Sequence, residues 1–312
     1  MRLPSRIFLV AVFVSIAGAL NAQAPPPKGP PPAAVGGKTT ITSPQVHEVS
    51  RAPETPVALP TENAPQALGF EADIYCFGYL GPLRETFPVQ IQGAESIAEQ
   101  VNFVTDDLLY VNGGADKGLK IGDEFWLVSP EQEVFHPVTG KSIGRFYQYR
   151  GRAVVHSVEG RAGIVRVTNA CTDIPIGTYL KPFEPVPIPL ARKSPPLVAG
   201  DLPSGKPNGR VIFTQDGLVA LGSGHVVIID LGMASGLAPG DFVTVYRYVW
   251  GEQFGIQPVG SYWVNLPPPA GVQIPRTYLG EAAVLMVGDR WAVVRLTDSF
   301  RLIQVGDEVE LK

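Results

Sequence analysis

Part of this chain is written twice, and that repetition constrains its fold more than any other feature. Gly114-Ala115-Asp116-Lys117-Gly118-Leu119-Lys120-Ile121-Gly122-Asp123 aligns without a gap to Gly232 through Asp241, an offset of 118 residues. Gly114, Gly118, Leu119, Gly122 and Asp123 all recur. Gly151 to Leu180 aligns to Gly280 to Val309 at an offset of 129, with ten of thirty positions identical. The identities include Arg161/Arg290, Val165/Val294, Arg166/Arg295 and Gly177/Gly306. Self-similarity of this kind marks a duplicated structural unit. The change of offset places an eleven-residue expansion between the aligned blocks of the second copy. What the copies share serves folding, so a specific task is sought where they differ.

The copies also report local structure. Val165 and Val167 alternate with Arg166, and Val294 and Leu296 alternate with Arg295. That period of two predicts half-buried antiparallel strands. Further strands are expected at Leu108–Asn112, Phe125–Ser129, Arg152–Val158, Val226–Asp230, Phe242–Arg247 and Glu281–Val287. The best helical spacing is short, Ala94–Val101, and predicts at most a turn or two. Many short strands between glycine-rich turns predict an all-β protein with two tandem antiparallel β-barrel or sandwich domains.

Proline marks the boundaries. Residues 1–24 begin with Arg2 and Arg6 and continue in an uncharged apolar run from Ile7 to Leu20, the pattern of an export signal. The run is short of the roughly 20 residues a membrane span needs. Cleavage is expected after Ala22 or Ala24, with an uncleaved anchor as the alternative. Residues 25–66 carry Pro25-Pro26-Pro27 and Pro30-Pro31-Pro32 and too few bulky apolar residues to offset the entropy of ordering, which predicts a disordered tether. A second proline-rich stretch, residues 182–208, is expected to link one β-domain at 67–181 to another at 209–312. Export and secretion place the protein in the periplasm or outside the cell, with no integral span after cleavage. Charged residues are only 17% of the chain, and the formal charge of −4 becomes −6 without Arg2 and Arg6. Such a surface suits nucleic acid poorly, because that binding depends on neutralising phosphates.

Gly122-Asp123, Gly240-Asp241 and Gly306-Asp307 each precede an expected strand. Together with Gly118 and Gly236, they are read as turns in which glycine takes positive φ and aspartate accepts backbone N–H bonds. They occupy equivalent turns and are not expected to converge on a metal.

Gly118-Leu119-Lys120-Ile121-Gly122-Asp123, Pro137-Val138-Thr139-Gly140 and Ile143-Gly144 together resemble the C-terminal domain of flagellar assembly protein T and related exported bacterial proteins. The second copy keeps both Gly-Asp turns and has Pro258-Val259-Gly260 in place of Pro-x-Thr-Gly. The resemblance implies a small periplasmic β-barrel used in assembly or binding, with no catalytic residues to carry over. Ile121-Gly122-Asp123-Glu124-Phe125-Trp126 also resembles the start of wall-binding LysM modules, which implies a glycan contact at Trp126. Such modules continue into two helices, whereas Ser129-Pro130 and the Thr-Gly turn predict strands.

No catalytic set is legible. Among the histidines, His47 falls in the tether, His136 beside the Pro-x-Thr-Gly turn and His225 at a strand start. His156 aligns with Leu285, which predicts a packed position, and no pair has zinc-ligand spacing. Gly222-Ser223-Gly224-His225 reads as a turn and not as a nucleophile elbow. Cys76 and Cys171 form either a disulfide or two buried thiols, the latter because Cys171 aligns with apolar Phe300. The uneven feature is aromatic. Tyr246, Tyr248, Trp250, Phe254, Tyr262, Trp263 and Tyr278 surround the expanded connection of the second copy. Tyr and Trp offer rigid faces with polar edges, suited to a protein partner or a glycan. The sequence therefore points to an exported, non-enzymatic envelope protein without cofactor or metal, binding a protein partner, with cell-wall glycan as the alternative ligand and a hydrolase as the remote one.

Overall fold

The computed structural model describes residues 66–95, 102–191, 204–249, 256–259, 262–265, 271 and 274–312. The export signal, almost all of the tether, Trp250, Phe254 and most of Ala94–Val101 lie outside the described residues.

The first half contains α1 (Glu71–Tyr75), β1 (Gly78–Gly81), β2 (Val89–Ala94), β3 (Asn102–Phe103), β4 (Leu108–Val111), β5 (Glu124–Phe135), β6 (Ser142–Val158), β7 (Gly163–Ala170), β8 (Ile174–Pro175) and β9 (Tyr179–Pro182). The second contains β10 (Asn208–Thr214), β11 (Val226–Ile229), β12 (Phe242–Tyr248), β13 (Ile256–Val259), β14 (Tyr262–Asn265), β15 (Arg276–Val287), β16 (Ala292–Ser299) and β17 (Glu308–Leu311). Six strands close the first barrel in the order β2-β4-β7-β6-β5-β9, and six close the second in the order β10-β11-β16-β15-β12-β17. Every neighbouring pair is antiparallel. The two orders are the same once the offsets are applied. Each barrel has its own core, one built on Leu109, Leu127, Val155 and Val165, the other on Val227, Val245, Val284 and Val294. Closure leaves no free edges where the six strands of a barrel overlap, which suits a sequence of short alternating strands.

The shared motif is a fixed piece of backbone. Ala115–Lys117 and Met233–Ser235 form matching 3-10 turns, ended by Gly118 at φ 78° and Gly236 at φ 79°. Gly122 and Gly240 follow at φ 90° and 92°, and Gly306 has φ 100°. Only glycine adopts such angles without strain. The aspartates act as expected: Asp123, Asp241 and Asp307 accept from the N–H groups of Lys120 (3.0 Å), Ala238 (2.9 Å) and Gln304 (2.8 Å). Each turn packs on the hairpin of its own barrel, so a Cβ at Gly114 would meet the Glu159 carbonyl at 2.0 Å and one at Gly232 the Asp289 carbonyl at 2.4 Å.

One pairing differs. In the second barrel Arg247 grips both carboxylate oxygens of Asp307 at 2.6 Å, with Asp307 only 1% exposed. Burial pushes that carboxyl up, against the pull of the Arg247 guanidinium. The aligned positions in the first barrel are Ser129 and Thr178, and Thr178 Oγ1 donates to the Pro175 carbonyl at 2.8 Å.

The barrels touch through their outer faces. Leu68 and Ile74, on and before α1, pack on Ala283 and Leu285 of β15. Phe77, Leu80, Val134 and Phe146 pack on Ile212, Phe213, Ile228 and Val293, with the Phe146 and Phe213 rings 4.5 Å apart. Asp73 pairs with Arg295 at 3.1 Å, and that guanidinium lies 4.9 Å from the centre of the Phe70 ring.

The structure overturns three expectations and decides between the two alternatives for the cysteines. His156 is exposed, not packed, because the outer-face position it shares with Leu285 is covered only in the second barrel. Phe300 is 71% exposed, so its alignment with Cys171 did not mark a core position. Cys76 and Cys171 are joined in a disulfide. The first part of the expected linker, Phe183–Ala191, is a packed strap: Val186, Ile188 and Ala191 join the cluster around Ile74 and Leu285, and Ala67 bridges to Leu190.

Candidate functional site

The hairpin joining β5 to β6 carries Pro137-Val138-Thr139-Gly140 at its tip, and its work is visible. His136 Nδ1 accepts from the N–H groups of Val138 (3.1 Å) and Thr139 (3.2 Å). That leaves Nε2 to carry the proton, and Nε2 donates to Asp230 of the second barrel at 3.2 Å. Asp230 uses its other oxygen for the Arg210 N–H. The turn motif therefore orients a histidine that docks one barrel on the other. A cleft of about 290 Å³ lies beside this contact, lined by Lys141 and Arg290 among others.

In the second barrel the equivalent connection is the expanded one, from β12 through the β13–β14 hairpin to β15. The hairpin pairs Ile256 with Asn265 and Val259 with Tyr262, so Pro258 and Val259 stand at the end of β13 nearest its turn. Tyr262 and Trp263 are thus on β14, at the end of the barrel expected to bind. Tyr246 is instead buried. Its ring lies 4.9 Å beneath the Arg276 guanidinium and 5.8 Å from Tyr248, edge to face, and Tyr248 is half-buried. Around them Arg276 pairs with Glu310 and Arg210 with Glu308, each at 2.5 Å. Every one of these charges is partnered, so this face is a staple across β10, β17, β12 and β15. Tyr246 braces the hairpin's root and presents no ring to a ligand.

The first barrel uses the matching face for aromatic packing. Trp126 stacks on Tyr149 at 4.2 Å between Tyr75 and Phe183, and is 3% exposed. It offers no face to a glycan, and strands follow it where a LysM module has helices. Tyr79 stacks on Tyr147 at 5.3 Å, donates to Glu85 at 2.6 Å and carries Lys181 3.8 Å above its ring. Sequence reasoning missed this cluster because the covering residues, Tyr75 and Tyr79, lie in the unrepeated segment ahead of β2.

Burial pushes the Tyr79, Tyr149 and Tyr246 phenols well above their ordinary value, reinforced by Glu85 for the first two and Glu308 for the third. A phenol whose folded value is raised adds stability that is whole below pH 10 and is lost as pH rises beyond it. With three such groups the loss is about 4 kcal/mol per pH unit. Absorbance of tyrosinate at 295 nm should therefore rise for these three in one cooperative step with unfolding, not in a gradual titration from pH 10.

Among the described residues no group of three or more His, Cys, Asp or Glu side chains forms a metal-binding cluster, and no helix is long and apolar enough to cross a membrane. The chain matches no family model. It matches no curated protein.

Proposed function

We propose that this protein is an exported, non-catalytic docking module of the bacterial cell envelope, contacting a protein partner through the hairpin end of its second barrel. The observation carrying this reading is the use made of the equivalent hairpin in the first barrel. There the Pro-x-Thr-Gly tip, with His136, binds a protein surface, the β11 end of the neighbouring barrel. The second hairpin is longer by the eleven-residue expansion and richer in aromatics, the residue types that anchor protein interfaces. The likeness to the C-terminal domain of flagellar assembly protein T fits an assembly role, and the sequence of residues 1–24 fits export. Burial of Trp126 and Tyr246 weighs against the glycan alternative.

The test is capture from envelope extracts with the full-length protein. A protein should co-purify with the wild type and fall at least about fivefold with Trp250→Ala and Trp263→Ala together, by the loss expected for aromatic anchors. Retention on purified peptidoglycan, lost in the same variant, would replace this reading with the glycan one.

A further inference from the structure

The first barrel carries a strand that the second lacks among the described residues. Strand β1 adds to the outside of β6, pairing Gly78 with Gln148, Tyr79 with Tyr147, Leu80 with Phe146 and Gly81 with Arg145. It lies where β7 has ended, since β7 pairs β6 only from Gly151 to Val158. At the offset of 129, Gln148 corresponds to Thr277, Tyr149 to Tyr278 and Arg150 to Leu279. On β15, Thr277 and Tyr278 pair with Arg247 and Tyr246 of β12 while Leu279 falls in a register shift, and β16 covers the other side only from Gly280 onward. No described strand takes the place of β1.

The main-chain geometry of the two edges agrees. The Arg150 carbonyl accepts from the N–H groups of Cys171 (2.9 Å) and Thr172 (3.4 Å), and the Leu279 carbonyl accepts from Phe300 (2.8 Å) and Arg301 (3.2 Å). These donors lie on the edge away from β12. Both strands carry a register shift here, at Arg150 and at Leu279, and Gln148 opposes Ser129 as Thr277 opposes Arg247, so Thr277 stands in the same register beside the edge away from β12. That is the edge on which Gln148 receives β1.

The side chains around this edge lack the cover their counterparts have. Tyr149 packs 5.6 Å from Tyr79 of the added strand, whereas the Tyr278 ring has Phe300 at 5.5 Å. The Tyr278 hydroxyl is shielded from solvent and has no hydrogen-bond partner among the described residues. Phe300 stands at the position of Cys171, whose disulfide ties the segment leading into β1 to its barrel. Phe300 is 71% exposed, Val249 at the end of β12 is 65% exposed and Leu302 is 55% exposed. Arg247 holds the Leu302 carbonyl at 3.3 Å, so these apolar groups share the hairpin end of the barrel.

We propose that the open edge of β15 at Thr277, flanked by Tyr278 and Phe300, accepts an extended apolar-aromatic segment of the partner protein as an added antiparallel strand. In this mode main-chain bonds give affinity and alternate side chains give specificity. The incoming strand lays one aromatic residue across Tyr278, as Tyr79 lies against Tyr149, and supplies a group to the Tyr278 hydroxyl. It covers Phe300 in the place where the first barrel has a covalent tie. This deepens the protein-partner reading and rests on it.

The probe is a synthetic peptide copying Ile74–Pro82 with serine at Cys76, titrated into the full-length protein and followed by amide shifts and hydrogen exchange. Saturable binding is expected, with slowed exchange at Thr277 and perturbation at Tyr278. Phe300→Asp should weaken it by at least about tenfold, or 1.4 kcal/mol. Thr277→Pro should abolish it, because proline removes a backbone donor and is tolerated poorly inside a paired strand. Absence of saturable binding, or binding that survives both substitutions, overturns the proposal. In envelope extracts, partner capture that needs the hairpin aromatics and ignores Phe300→Asp would leave the partner reading standing and strand addition refuted.

Discussion

Replacing Cys76 and Cys171 with serine should lower the stability of the protein by about 4–5 kcal/mol, the chain-entropy value for a loop of this size. The bond joins residues 95 apart in sequence. For a body of about 200–250 residues that loss corresponds to a fall in Tm of about 10–20 °C. Its position adds a second consequence. Cys171 follows β7 of the first barrel, and Cys76 caps α1, the helix whose Ile74 and Asp73 meet Leu285 and Arg295 of the second. The disulfide therefore anchors the element that joins the barrels. Thermal unfolding of the double variant should be both lower and broader than that of the wild type. A shift of less than 1 kcal/mol would mean that α1 is held well enough by packing alone.

The second large effect is expected at Leu285→Asp. Leu285 is fully buried, yet it lies on the outer face of the barrel, against Leu68 and Ile74. Losing a buried leucine costs about 2–5 kcal/mol, and leaving an unpaired carboxylate in an apolar contact adds several more. Because each barrel has a separate core, this cost should fall on the contact between them. Unfolding should change from one transition to two, with both barrels retaining their strands by circular dichroism. The same substitution position in the first barrel is informative. His156→Asp, on the exposed counterpart, should change stability by less than about 0.5 kcal/mol, as surface substitutions usually do.

That contrast also explains what could be read from the sequence and what could not. The tandem antiparallel β-domains are legible because strand alternation such as Val165-Arg166-Val167 and turn chemistry such as Gly122-Asp123 are local and the duplication reports each twice, whereas closure into barrels rather than sandwiches comes from the strand order. Outer-face positions were not legible in the same way. His156 and Leu285 hold equivalent places in equivalent strands, and their chemistry differs because α1 covers one and solvent the other. Trp126 looked like a surface anchor in a turn motif, but Tyr75 and Phe183, from segments without a repeat, bury it. Phe300 aligns with Cys171 but is 71% exposed, because among the described residues no segment covers it as the one bonded to Cys171 covers the first barrel. The proline-rich strap misled for a related reason. Its prolines exclude regular structure, while Val186 and Ile188 between them still pack. In each case the missing information was which unrepeated segment lies on which face. Of the expected aromatic site, Tyr246 is a brace, Tyr262 and Trp263 lie on the β13–β14 hairpin, and the open edge beside Tyr278 comes from topology.

The account rests on the differences between two like barrels marking contact surfaces, the first of which is the contact between the barrels themselves. Residual dipolar couplings of backbone amides, measured on the intact protein and on the Leu285→Asp variant, test this most directly. The wild type should fit a single alignment tensor across β2–β9 and β10–β17, and the variant should need two tensors with each barrel unchanged internally. Two independent tensors in the wild type would contradict the account, because the surfaces taken as the model for docking would then not be docked.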